Sequence, residues 1–168
     1  MSSIPETLSE QISKAAVLAE ALPYIQQFRG RTFLVKLGGS AMEDSTLLDA
    51  LIRDIVLLEA VGINPVIVHG GGKAISSAMK RAGIEPRFES GQRVTDEQSI
   101  AIVEHTLGSE VNPRLVDLVK AHGGRAVGVA GRDVFLADRM RGKDDEGNHV
   151  DLGFVGHVTN CRVETLEA

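Results

Sequence analysis

The sequence predicts an α/β fold with a mainly parallel sheet, and three observations predict it. Three short apolar runs each end in glycine, helical segments alternate with them, and the chain has the length of one domain. The runs are 33–37 (FLVKL) leading into Gly38-Gly39, 65–68 (PVIV) leading into His69 and Gly70-Gly71-Gly72, and 126–130 (AVGVA) leading into Gly131. Strands that alternate with helices imply right-handed crossovers and parallel pairing. A chain of 168 residues is expected to form a single core that buries roughly 70% of its unfolded surface.

The elements follow in order. Residues 4–28 read as an amphipathic helix, with Ile4, Leu8, Ile12, Ala15, Ala16 and Ala19 at helical spacing and Pro23 kinking or ending it. Such a helix either covers the α/β unit or serves as a handle for another subunit. After the first run, Asp44 or Ser45 caps a helix whose Leu47, Leu48, Leu51, Ile52, Ile55 and Leu58 form a wide apolar face, and Gly62 stops it. After the second run a helix is expected over 73–82, ending at Gly83. Thr95-Asp96-Glu97-Gln98 reads as a capping box that opens another, and Asn112-Pro113 restarts helix as far as Gly123-Gly124. From residue 137 the chain is charged over 139–146 and then alternates around Gly147-Asn148, which reads as a β-hairpin or an excursion on the rim and not as a linker to a second domain.

Composition narrows the function. Hydrophobic residues make up 43% and charged residues 24% of the chain, with a mean hydropathy of +0.02, which argues against disorder, collagen-like repeats and membrane spans. A net charge of −5 without a visible basic patch removes the attraction to phosphate backbones that nucleic-acid binding needs. The single cysteine, Cys161, cannot form an internal disulfide, and the N-terminus MSSIPETLSEQ has neither a basic n-region nor an apolar h-region. A cytoplasmic protein with no membrane partner is expected. Aromatic residues are only 4% while glycine reaches 18 residues, so the core must be aliphatic and the glycines become candidates for function.

In an open parallel sheet, ligands bind at the carboxyl ends of the strands. All three glycine turns fall there. Gly70-Gly71-Gly72 before a helix offers backbone without Cβ obstruction, free N–H donors and the positive end of a helix dipole, so it reads either as an anion cradle or as a tight turn. It is not a Walker A loop, because Ala74 stands where Ser or Thr is needed, and no G-x-G-x-x-G pattern occurs. Lys36 interrupts an apolar strand beside Gly38-Gly39. It is either an edge lysine facing water or a cation placed to neutralise a transferring phosphoryl group. Arg93, just ahead of a capped helix, is either a solvated arginine or a planar fork for a carboxylate. No G-x-S-x-G elbow or H-E-x-x-H motif is present. His69, His105, His122, His149 and His157 show no metal-ligand spacing with Cys161, so no metal site is expected.

Five ordered blocks carry a resemblance. Val35-Lys36-Leu37-Gly38-Gly39-Ser40, Val66-Ile67-Val68-His69-Gly70-Gly71-Gly72, Gly91-Gln92-Arg93-Val94-Thr95-Asp96, Val103-Glu104 with Gly108 and Val111-Asn112, and Asp151-Leu152-Gly153-Phe154-Val155-Gly156 resemble the N-acetylglutamate kinases, a branch of the amino acid kinase family. The resemblance runs from about residue 14 to 160, and the segment ALPYIQQFRGRTFLVKLGG resembles the extra helix of arginine-inhibited members. Gln92 and His157 depart from the residues usual in the family.

The resemblance implies a carbamate kinase-like, three-layer α/β/α sandwich that is truncated. On that basis residues 1–29 are an oligomerisation helix, residues 30–168 are the acylamino-acid-binding half, and the ATP-binding half is absent. It further implies phosphorylation of the γ-carboxylate of N-acetyl-L-glutamate by ATP with Mg²⁺, in a homo-oligomer that is a dimer or a hexamer. Lys36 would stabilise the transition state, and Gly38 and Gly39 would contact the phosphoryl group. Gly71, Gly72 and Arg93 would bind N-acetylglutamate, Arg93 at its α-carboxylate. Two rivals remain, a sister kinase with another acyl-amino acid substrate and a non-catalytic module that binds acidic ligands.

Overall fold

The computed structural model describes residues 7–143 and 147–167. Residues 4–6 of the expected first helix and 144–146 of the charged run lie outside them. Helix α1 spans Leu8–Phe28, and its start is a capping box in which the Thr7 hydroxyl accepts from Glu10 N while the Glu10 carboxylate accepts from Thr7 N. Pro23 lies inside the helix and does not end it. None of its described residues is buried, and Leu8 and Leu18 are 73% and 70% exposed. The helix therefore does not cover the rest of the chain. An edge-to-face contact of Phe28 with Phe33, centroids 5.3 Å apart, ties its end to the first strand.

Strand β1 (Thr32–Leu37) pairs in parallel with β2 (Asn64–His69), with Lys36 opposite Val68 and Leu37 opposite His69. Between them run the short helix α2 (Gly39–Glu43) and the longer α3 (Ser45–Ala60). Asp44 caps α3 by accepting from Thr46 N at 2.9 Å and Leu47 N at 3.0 Å, and Gly62 at φ +88° reverses the chain after it. After β2 come α4 (Gly72–Arg81) and a two-stranded ribbon of β3 (Phe88–Glu89) and β4 (Gln92–Arg93). Helix α5 (Glu97–His105) passes through a π-helical turn at Thr106–Val111 into α6 (Asn112–Ala121). The cap of α5 is Asp96, whose carboxylate accepts from Ser99 N at 2.8 Å, in place of the expected Thr95. Thr95 is instead buried and bridges to Gly153.

The last elements are a short helix α7 (Gly131–Val134), the antiparallel pair β5 (Phe135–Lys143) and β6 (His149–Cys161), and α8 (Glu164–Glu167). The expected hairpin is thus present. The expected third parallel strand at 126–130 is not, because the segment makes no ladder and the parallel sheet of the described residues has two strands. Asn112 explains part of this. Its side-chain amide donates to Val129 O at 3.3 Å, and its Oδ1 stands where a Cβ on Gly128 would be, so the run packs on α6 through a glycine that weakens strand formation.

The main core is aliphatic. Leu37 from β1, Leu48, Ile52 and Ile55 from α3, and Val111, Leu115 and Val119 from the π-turn and α6 form one buried cluster, against which Val35 and Ile67 pack. Helices thus cover the face of the parallel pair that carries Val35 and Leu37. Side chains alternate along a strand, so Leu34 and Lys36 share the opposite face, and both are exposed, Leu34 by 71%.

Candidate functional site

The parallel register brings two glycine turns side by side. Leu37 and His69 are opposed at the carboxyl ends of β1 and β2, and Gly70 N donates across the gap to Leu37 O at 3.4 Å. Each strand then enters a helix at once, α2 at Gly39 and α4 at Gly72. Lys73, in the first turn of α4, pairs with Glu43 at the end of α2 at 2.5 Å and links the two. His69 Nδ1 donates to Gly70 O at 3.0 Å, which orients the imidazole at the exit of β2.

The first turn of α4 has no side-chain cap, and its N-cap is Gly71. Its opening N–H groups have no capping side chain to accept from them. The glycines here are not equivalent. A Cβ at Gly38, Gly39 or Gly72 would stand in open space, whereas at Gly71 it would collide with the Cδ2 of Leu107 in the π-helical turn. Gly71 therefore admits a protein side chain against the start of α4. Its φ of −176° is ordinary extended backbone.

Lys36 lies one residue before this edge, on the face left open by the helices, and its side chain makes no hydrogen bond or ion pair among the described residues. Its side chain is exposed, as an edge lysine's would be. Arg93 is neither solvated nor wholly free. Its Nη2 donates to Gly72 O at 3.0 Å and to Ser76 Oγ at 2.8 Å, and its Nη1 reaches Met79 Sδ at 3.2 Å. The guanidinium also lies 4.6 Å from the centroid of the Phe88 ring, a cation–π contact across the β3–β4 ribbon in which Phe88 and Arg93 are paired. Desolvation by these neighbours holds Arg93 below the ordinary arginine pKa, and it remains a cation.

The structure thus joins Gly72 to Arg93 directly, and joins Lys36 to the 70–72 turn through strand register. Sequence reasoning missed Ser76, Met79 and Phe88. A signal for them existed: Ser90-Gly91 between two dipeptides is a two-residue hairpin, here with both residues at positive φ (47° and 79°), and it folds Phe88 over Arg93. Ser76 and Met79 lie one and two turns along α4 from Gly72. The edge combines open glycine backbone, a helix start without a side-chain cap and an exposed lysine. Among the described residues no three His, Cys, Asp or Glu side chains come together as metal ligands.

The model of the amino acid kinase family matches residues 31–168. The chain belongs to that family. Two relatives extend the likeness to almost every residue. An acetylglutamate kinase of Akkermansia muciniphila is 51% identical over 159 residues, covering 95% of this chain and 54% of that protein. An acetylglutamate kinase of Acinetobacter baumannii is 45% identical over 170 residues, covering 98% of this chain and 56% of its own. The chain spans about half the length of the curated relatives it matches. Among solved structures, an N-acetylglutamate synthase of Neisseria gonorrhoeae, crystallised with coenzyme A and N-acetyl-glutamate, superposes with a TM-score of 0.70 at 28% identity, over 91% of this chain and 34% of the synthase. For an amino acid kinase chain, a parallel sheet whose strands exit through glycine is the expected frame, and the two strands present carry it. No helix of the described residues is long and apolar enough to cross a membrane.

Proposed function

We propose that this chain forms the acylamino-acid-binding half of an acetylglutamate kinase, which phosphorylates the γ-carboxylate of N-acetyl-L-glutamate in arginine biosynthesis in the cytoplasm. The observation that carries the reading is the bond from Arg93 to Gly72. It sets a guanidinium at the start of a helix with no side-chain cap, so that two kinds of anion donor meet at one edge of the sheet. A dicarboxylate has one anionic end for each. The relatives named acetylglutamate kinase support the choice of substrate. The synthase that shares the fold was solved with N-acetyl-glutamate, so fold likeness by itself does not argue for phosphoryl transfer.

ATP would supply the phosphoryl group, with Mg²⁺ carried on its phosphates. The remaining work falls to this chain. A carboxylate is already deprotonated at neutral pH, so no general base is needed, but two anions must approach. At 4 Å and an effective dielectric near 20 each charge pair repels by about 4 kcal/mol. Lys36, Gly38 and Gly39 would offset that repulsion, the lysine by charge and the glycines by backbone N–H groups. Gly71, Gly72 and Arg93 would hold the substrate. Helix α1, with no buried residue, would be the handle of a homo-oligomer, a dimer or a hexamer.

Titration calorimetry of the 168-residue chain with N-acetyl-L-glutamate, L-glutamate and L-aspartate tests the reading. Binding with a preference for N-acetyl-L-glutamate is expected, together with no hydroxamate-trappable acyl phosphate from these residues alone. Equal affinity for the three ligands would point to the sister-kinase class. No binding would remove the proposal.

A further inference from the structure

Ser76 stands between two residues on which the proposed site depends. Its hydroxyl donates to Gly72 O at 2.9 Å and accepts from Arg93 Nη2 at 2.8 Å, while the same Nη2 donates to Gly72 O at 3.0 Å. The three groups close a triangle. A hydroxyl can do this because it has one proton to give and lone pairs with which to accept. The rest of the guanidinium is confined too, by Met79 Sδ at Nη1 and by the Phe88 ring, whose centroid lies 4.6 Å from Cζ. Gly72, Ser76 and Met79 fall at i, i+4 and i+7 of α4, one stripe of the helix, and both terminal nitrogens of Arg93 dock on that stripe.

We propose that Ser76 is a positioning residue for the carboxylate site, acting through Arg93. The inference rests on the reading of Arg93 as the residue that holds a substrate carboxylate. An unrestrained arginine has several freely turning bonds and loses that freedom when a ligand fixes it. Here the loss is taken on folding, because the Ser76 hydroxyl, itself oriented by its bond to Gly72 O, fixes Nη2. An incoming carboxylate then meets a guanidinium already set in place at the start of α4. Without the hydroxyl, Nη2 keeps one acceptor and the guanidinium can swing.

Ser76→Ala and Ser76→Thr in the 168-residue chain test this. Alanine removes the hydroxyl while favouring helix, and threonine restores the hydroxyl. Two measurements are made on each: calorimetric titration with N-acetyl-L-glutamate, and ¹⁵N NMR of the arginine guanidinium groups without ligand. Ser76→Ala is expected to weaken binding roughly 3- to 20-fold, and Ser76→Thr to return it to within about twofold of wild type. The Arg93 Nη resonances, kept distinct by hindered rotation in the wild type and the threonine variant, should merge in the alanine variant. Unchanged affinity in Ser76→Ala, or equal losses in both variants, would overturn the inference and leave the substrate reading standing. Failure of the wild-type chain to bind would overturn the substrate reading and the carboxylate role with it. The resonances would then still decide whether Ser76 holds Arg93, and unchanged signals in Ser76→Ala would sink that as well.

Discussion

Gly153 packs so closely against Thr95 that the Thr95 carbonyl oxygen stands where a Cβ would be. Two backbone hydrogen bonds fix the approach, Thr95 N to Leu152 O at 2.8 Å and Phe154 N to Thr95 O at 2.7 Å. Thr95 in turn donates its hydroxyl to Arg93 O at 3.1 Å. The β5–β6 hairpin is therefore fastened to the segment that carries Arg93, and Leu152, almost completely buried, anchors the contact.

Replacing Gly153 by alanine should destabilise the chain by about 2–4 kcal/mol, because a Cβ meets unyielding backbone and the φ of +74° is strained for any other residue. Gly62→Ala provides the contrast. Its φ is +88°, but a Cβ there meets only the Arg29 side chain at 3.2 Å, which can move, so a loss of about 1 kcal/mol is expected. Urea unfolding of both variants measures the difference. Equal losses would show that the Thr95 contact contributes nothing.

Asp96 makes stability depend on pH in the acid range. Its carboxyl is held below the ordinary aspartate value of 3.8 first by the backbone N–H of Ser99 and then by the Ser99 side chain. A carboxyl whose folded pKa is depressed stabilises the fold above its unfolded pKa, and that contribution is lost as pH falls through the folded value. Asp151, held low first by Gly153 N–H and then by the charge of Arg139, acts in the same sense. Asparagine also caps helices, so Asp96→Asn removes mainly the charged part of the interaction. The wild type should be the more stable at pH 7, with the gap closing below about pH 4. A gap independent of pH from 2 to 7, in unfolding curves taken across that range, would exclude the linkage.

Much of this was legible before the fold was known, and the reasons for the rest are physical. The helix at Ser45–Ala60 announced itself by a cap, an apolar stripe and a closing glycine, and Gly72–Arg81 by its place after a glycine turn and before Gly83, all local signals. The ribbon that places Phe88 over Arg93 has strands of two residues, too short for any periodicity. The absence of a strand at 126–130 is owed in part to Asn112, fourteen or more positions away, which binds Val129 O. Thr95 and Asp96 are both capping residues in tandem, and only the docking of Thr95 against Gly153 decides between them. Lys36 was visible as a charge in an apolar strand, but its direction depends on which sheet face the helices cover.

That direction yields a separation of effects. The Lys36 side chain is exposed and has no ion pair or hydrogen bond among the described residues, so Lys36→Ala should change the stability of the 168-residue chain by no more than about 0.5 kcal/mol. In a complete kinase containing these residues, loss of a donor that acts on transition-state charge should lower kcat roughly 10²- to 10³-fold, with a smaller change in KM. An unchanged kcat would return Lys36 to the role of a solvated lysine.

Arg93→Lys tests the substrate site most directly. Lysine keeps the positive charge but loses the planar fork, and one ammonium group cannot serve Gly72 O, Ser76 Oγ and a ligand carboxylate with the geometry that Arg93 shows. A hydrogen bond to a charged group contributes about 1.5–3 kcal/mol, so binding of N-acetyl-L-glutamate should weaken roughly 10- to 150-fold. The substitution also removes contacts to α4, and a fall in stability would lower apparent affinity by itself. Thermal melts of the same samples separate the two effects, because a ligand role weakens binding even where the variant remains fully folded at the titration temperature. The preference over L-glutamate should survive in the variant, since the acetyl group is not what the fork holds. Equal affinity of wild type and variant, measured by calorimetry on folded protein, would take the carboxylate away from Arg93.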